Sequence, residues 1–448
     1  MRIFQAFLFV GLLVSCSPVQ QKVDPSLTLS KAERERRIAL DFTKEEKEVT
    51  AYIRQYIPDF TPAQQEEWER TQALEHRWIK GKKRYFRNAA PNLFRIDSFA
   101  KSCKEKRYPA VVSQATLVDQ THVPQVIQHV LKTDSIYVEP VRMRLTYTLS
   151  VHPNVVPDGT TIRCWLPYPR RDEPRQRNIQ LLSLNGPSIQ IANKEATHST
   201  LYTEKKAVKD SATVFKEVLE FTSYAEWHPL TPKEIQPYRR STALYKKYTA
   251  QRAPHLVFTP AIKRLSQQIV GTEKNPLKQV YLLFKWISDT FPWASAREYS
   301  TLTDIPSYVL ANKHGDCGQV SLLFIDLARC LGIPADFQSG LMLHPGDTNI
   351  HDWVRVYFEG VGWVPVDPSF GIFTTGKNQQ ETYFFAHGID AYRMIVNNGY
   401  GDQLYPPKNY SRSETVDFQR GEVEWEGGNL YFNQWSWNID VAYIPLDN

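Results

Sequence analysis

The stretch His314-Gly315-Asp316-Cys317-Gly318-Gln319 opens a run in which Val320, Leu323, Phe324, Leu327 and Leu331 recur at steps of three and four. That is the period of a helix with one buried face. Gly332 and Pro334 stop it. Asp316 stands where an N-cap belongs, which places Cys317 in the first turn. There the helix dipole and free backbone N–H groups favour a thiolate, and the N–H of the cysteine points to where an oxyanion would develop. A cysteine at the start of a core helix is ordinarily structural. Here its glycine neighbours are expected to leave room for a substrate.

A reactive thiol needs a base within hydrogen-bond reach and a third group to hold that base. Downstream, Ile350-His351-Asp352-Trp353 leads a strand to Phe358, and Glu359-Gly360-Val361-Gly362 turns it into Trp363-Val364-Pro365-Val366-Asp367. In an antiparallel hairpin of that length, residues near 351 lie across from residues near 367, and positions of like parity share a face. His351 and Asp367 then become near-diagonal neighbours, a carboxylate fixing an imidazole tautomer. Trp293 is either a second oxyanion donor through its indole N–H or a core residue, and Gln319 is an alternative donor. Trp353 is a candidate for the groove wall. His344 and Asp347 precede His351 in a Pro/Gly stretch and are read as a loop at the groove rim. No second cluster makes them a metal site, and no calcium-loop pattern is present. No cofactor is expected.

Gly-Asp-Cys on a helix, Gly332-Ile333-Pro334-Ala335, His-x-Trp on a strand and Gly-Trp-Val-x-Val-Asp-Pro together resemble the transglutaminase-like superfamily over about residues 255–375. The resemblance implies a papain-like α+β core with Cys317 as nucleophile, His351 as general base and acid, and Asp367 as its orienter. It also implies attack on an amide carbonyl and an acyl-enzyme. Hydrolysis of a peptide or isopeptide bond is the leading expectation. Transamidation joining glutamine to an amine is one alternative, and a catalytically silent tethered binding or scaffold protein is the other. The wider text, including Trp165-Leu-Pro-Tyr-Pro169, resembles exported lipoproteins of Bacteroidetes that carry such a domain.

The remainder of the 448 residues reads as further domains. Residues 1–15 have the short apolar run of a lipoprotein signal peptide, ending Leu13-Val14-Ser15-Cys16, so Cys16 is the expected lipidation site. That implies an exported protein, lipid-anchored to the cell envelope. Residues 16–30 read as a tether and 31–135 as a helical region containing the basic run Lys80–Arg87, taken as a helix end or loop. Alternating residues from Val141 to Val151 begin an immunoglobulin-like β-sandwich over 138–240. The core is expected at 241–400, with strands of 401–448 packing on it. A formal charge of +6 is small for this length and implies no dedicated nucleic-acid partner. The expected partner is a peptide or protein substrate. A Cys103–Cys164 disulfide is permitted by an oxidising compartment, but no spacing argues for it.

Overall fold

In the computed structural model, the described residues are 27–446 apart from 110 and 188. The signal peptide, Cys16 and most of the tether lie outside them. No helix among the described residues is long and apolar enough to cross a membrane.

The first unit carries helices Lys31–Asp41, Glu46–Arg54, Pro62–Arg70, Ala89–Ile96 and Ser98–Arg107. Phe42, Ile53, Trp68, Leu74, Tyr85 and Leu93 form its core. The basic run is neither a helix end nor a simple loop. His76–Ile79 and Lys82–Tyr85 pair as an antiparallel hairpin turning at Lys80 and Gly81, both at positive φ. The next helix, Gln114–Thr133, departs from the expected grouping. Val123, Val126, Ile127 and Val130 fall on one face at helical spacing. They bury themselves in the core of the later α+β domain rather than in that of the preceding helices.

Two five-stranded sheets make the sandwich. One is built on Tyr137–Val151 and Thr213–Trp227, the other on Thr161–Pro167 and Thr200–Lys206. Leu145, Leu149, Trp165, Leu201, Phe215 and Leu219 fill the space between them. The C-terminal strands correct the expectation that they pack on the core. Glu422–Trp425 pairs with Thr161–Pro167, and Trp435–Ile444 pairs with Tyr137–Val151, Trp435 lying opposite Val151. They satisfy backbone groups that sandwich edges would otherwise leave open.

The α+β expectation holds. The helices Pro260–Val270, Pro276–Thr290, Ile305–Asn312 and Cys317–Cys330 accompany a four-stranded antiparallel sheet. Its order is Gly362–Val366, Asp347–Phe358, Ala335–His344, Arg393–Asn398. Leu323, Phe324 and Leu327 of the cysteine helix share one core with Ala335, Phe337, Val354, Val356 and Val366 of the sheet. Each fully buried Val, Leu or Phe of this set contributes about 1.5–3 kcal/mol. The four described cysteines are free, with Cys103 packed against the first unit and Cys164 inside the sandwich.

Candidate active site

Cys317 begins its helix as the local sequence requires. Asp316 accepts from the Gln319 backbone N–H at 3.1 Å, and Gln319 Oε1 accepts from the Asp316 N–H at 3.2 Å, a reciprocal capping box. Such a cap stabilises a helix start by about 1 kcal/mol. Gln319 is buried, and its Nε2 has no hydrogen-bond partner among the described residues.

His351 and Asp367 meet as the hairpin register requires. The strands pair Val354 with Val366, so His351 and Asp367 lie diagonally just beyond the last pair. His351 Nε2 is 2.8 Å from Asp367 Oδ2. An ionised carboxylate only accepts, so this bond puts the proton on Nε2 and leaves a lone pair on Nδ1. Asp367 also accepts from Arg393 Nη1 at 3.0 Å and from the backbone N–H groups of Ser369 and Phe370. Burial alone would raise the Asp367 carboxyl, but His351, Arg393 and the Phe370 N–H outweigh it and hold it below its usual range. Burial depresses the His351 imidazole, with Asp367 opposing and Arg393 assisting. The ring is therefore a neutral base at neutral pH. The acid limb of any His351-dependent activity is expected below the usual imidazole value of 6.5, as a pH–rate profile would read.

The thiol itself has a partner that the sequence reading missed. Adjacent strand residues point to opposite faces. While His351 faces Asp367, Asp352 faces the cysteine helix, and Cys317 Sγ donates to Asp352 Oδ2 at 3.4 Å. Tyr299 Oη donates to Asp316 Oδ1 at 2.6 Å and lies 3.4 Å from Asp352 Oδ2. Gln419 Nε2 donates to Asp352 Oδ1 at 2.9 Å and to the His351 carbonyl at 2.7 Å. The space beside Gly318 is thus filled rather than left for substrate: a Cβ there would overlap Tyr299 Oη and Asp352 Oδ2. Cys317 keeps a partly exposed edge. Burial nevertheless pushes its thiol well above the usual range, and the neighbouring Asp352 and Asp316 add to the rise. These effects oppose the lowering expected at a helix start. Asp352→Asn removes the nearest of the two acids. It is expected to lower the pH midpoint of Cys317 alkylation, leaving more thiolate at a given pH. An unchanged midpoint would show that Asp352 does not control the thiol.

The remaining candidates separate. Trp293 is 47% exposed, stacks under Arg95 at 5.0 Å, and its backbone bridges to Gly315 beside the cysteine loop. Its position is at the surface and not in the core. Trp353 is not a groove residue. It is fully buried, donates Nε1 to Gln338 Oε1 at 2.6 Å and packs beside the His351 ring. His344 is not at a rim either. It ends the buried strand Ala335–His344 and places Nε2 3.4 Å from both Asp119 Oδ1 and Asp390 Oδ1. These three residues offer ligand-type atoms within 4.8 Å of one another. Asp390 already receives Arg393 and the Tyr392 N–H, so the cluster has positive partners of its own. The local signal for Arg393 was a charged pair, Asp390 and Arg393, inside an otherwise apolar stretch.

A cysteine at a capped helix start and an antiparallel sheet carrying an imidazole–carboxylate pair fit a papain-like fold. Residues 263–368 match the family model of the transglutaminase-like superfamily, so the chain carries a transglutaminase-like domain. An uncharacterized protein of Haemophilus influenzae is 29% identical over 163 residues, a match covering 30% of this chain and 42% of that relative's length. Among solved structures, a candidate cysteine protease from Cytophaga hutchinsonii aligns at 12% identity and TM-score 0.44, over 70% of this chain and 93% of that one. The periplasmic domain of TgpA from Pseudomonas aeruginosa aligns at 12% identity and TM-score 0.28, over 51% and 88%.

Proposed function

We propose that the chain is a thiol-dependent hydrolase that cleaves peptide or isopeptide bonds through Cys317, His351 and Asp367. The observation that carries this reading is the His351–Asp367 bond, which leaves Nδ1 of a neutral imidazole free to take a proton. In the reaction, Cys317 gives its proton to Nδ1 and its sulfur attacks the amide carbonyl. The oxyanion is held by the Cys317 N–H, with the unpartnered Gln319 Nε2 or the Trp293 indole as second donor. The amine leaves with the proton from His351. Water, deprotonated by the same nitrogen, then cleaves the thioester. Cys317 and His351 share no hydrogen bond among the described residues, and the thiol is held by Asp352, so it must turn from Asp352 to Nδ1 before the transfer, a rearrangement that substrate binding would have to drive. We further place the protein at the cell envelope, tethered by lipid on Cys16, which incorporation of a labelled fatty acid lost in Cys16→Ala would test.

A second reading is favoured by that same Asp352 contact: a silent site in a tethered scaffold, its thiol held protonated. The test is incubation of the protein and of Cys317→Ala with peptide and isopeptide libraries in ¹⁸O-water, read by mass spectrometry. Hydrolysis gives Cys317-dependent products carrying one ¹⁸O on the acyl side. Amine-dependent ammonia release would instead indicate transamidation, and identical behaviour of the two proteins would favour the silent scaffold.

A further inference from the structure

The imidazole–carboxylate pair continues into a buried chain that leaves the transglutaminase-like domain. Asp367 Oδ2 accepts from Arg393 Nη1 at 3.0 Å, and Arg393 Nε donates to Asp390 Oδ2 at 2.7 Å. Asp390 Oδ1 faces His344 Nε2 at 3.4 Å, and the same nitrogen faces Asp119 Oδ1 at 3.4 Å. All of these side chains are at least 95% buried. Asp119 lies on the Gln114–Thr133 helix, 225 residues before His344 and outside the family match at 263–368.

We propose that this helix is part of the catalytic machinery, with Asp119 and His344 as positioning residues that hold Arg393, and through it Asp367 and the His351 ring, in one arrangement. The inference rests on the triad reading given above.

One guanidinium, Arg393, serves two buried carboxylates, Asp367 and Asp390. Left to itself it could shift toward either, and a shift toward Asp390 would release the carboxylate that sets the His351 tautomer. His344 Nε2 lies 3.4 Å from Asp390 Oδ1 and 3.4 Å from Asp119 Oδ1, so its one N–H is shared between the carboxylate that holds Arg393 and a carboxylate on the helix. Arg175, donating to the Asp390 carbonyl, and His122, accepting from the Ala391 N–H at 3.1 Å, fix the Asp390 backbone. The helix cannot drift, because Val123, Val126, Ile127 and Val130 are in the same core as the cysteine helix. Buried side-chain networks specify one geometry to the extent that their members are satisfied; Asp119 Oδ2 and His344 Nδ1 have no hydrogen-bond partner among the described residues, so the link between helix and strand rests on the shared His344 Nε2.

The test uses the full chain and the variants Asp119→Asn, Asp119→Glu, His344→Gln and His351→Ala. Cys317 alkylation by iodoacetamide is followed across pH by peptide mass spectrometry, so that other thiols do not interfere. The low-field proton resonance of the His351 Nε2–H is recorded in parallel. Asp119→Asn and His344→Gln are expected to slow alkylation by about tenfold to a hundredfold, the size of effect that misplacing a catalytic group by about an ångström produces. They should also move the pH midpoint and shift the low-field resonance, with Asp119→Glu restoring both in part. Wild-type profiles in both variants, alongside a changed profile in His351→Ala, would overturn the inference and leave the triad standing. An unchanged profile in His351→Ala would overturn the triad reading, and the inference with it. If Asp119→Asn does not fold, His344→Gln and Asp119→Glu decide the question on the same two readouts.

Discussion

Asp367→Asn is expected to lower turnover of a cleaved peptide by about 10²–10⁴-fold, with substrate binding little changed. The carboxylate does two things for His351. It accepts the Nε2 proton, which keeps the Nδ1 lone pair free to act as base. It also stabilises the imidazolium that forms once the thiol proton has been transferred. Asparagine can present an NH₂ where the carboxylate accepted, and that favours the wrong tautomer. It also removes the negative charge. Asparagine keeps an acceptor for the Ser369 and Phe370 backbone N–H groups but turns a donor toward Arg393 Nη1, so the folded state of the variant is checked by its thermal unfolding before kinetics are read. Steady-state kinetics of the purified variant would check this, and turnover above half the wild-type value would show that Asp367 does not orient the base.

Arg393→Ala should give the largest loss of stability, about 3–5 kcal/mol at neutral pH, because it leaves buried carboxylates without their cation. Asp367 and Asp390 both have folded-state carboxyls below the usual range despite burial, and Arg393 contributes to each. A carboxyl depressed in the folded state adds stability that is present above its unfolded value, 3.8 for Asp, and lost as pH falls through the folded value. In Arg393→Ala that contribution is missing, and the two carboxyls protonate more readily in the folded state. The stability gap between wild type and variant should therefore narrow as pH falls toward 4. Urea unfolding at pH 7.5 and at pH 4.5 would measure it. A loss under about 1 kcal/mol at the higher pH, the size of an exposed ion pair, would mean that the guanidinium does not carry this site.

These predictions rest on residues that were unequally visible in the sequence. Cys317 at a helix start was legible because capping and helical period are local: Asp316, Gln319 and the apolar run to Leu331 lie within a few turns. His351 and Asp367 were legible because a tight turn fixes hairpin register, and register fixes which side chains share a face. Parity also said that Asp352 points away from the His351 face. It did not say what waits on the other side. The cysteine helix does, and Asp352 receives the thiol. Trp353 and His344 were misplaced for the same reason, since both sit on strands whose two faces are covered. An exposed groove wall and a buried one carry the same sequence.

By itself, then, the sequence determined the α+β class, the start of the cysteine helix and the pairing of His351 with Asp367, all set by contacts a few to sixteen residues apart. The tertiary structure alone decided which distant segments become neighbours. It brought the strands Glu422–Trp425 and Trp435–Ile444 back to the sandwich, and it set Asp119 beside His344 across 225 residues. Periodicity and capping are properties of a short segment, readable from that segment. The choice among competing distant partners follows from how whole apolar faces pack and which buried charges must find an opposite.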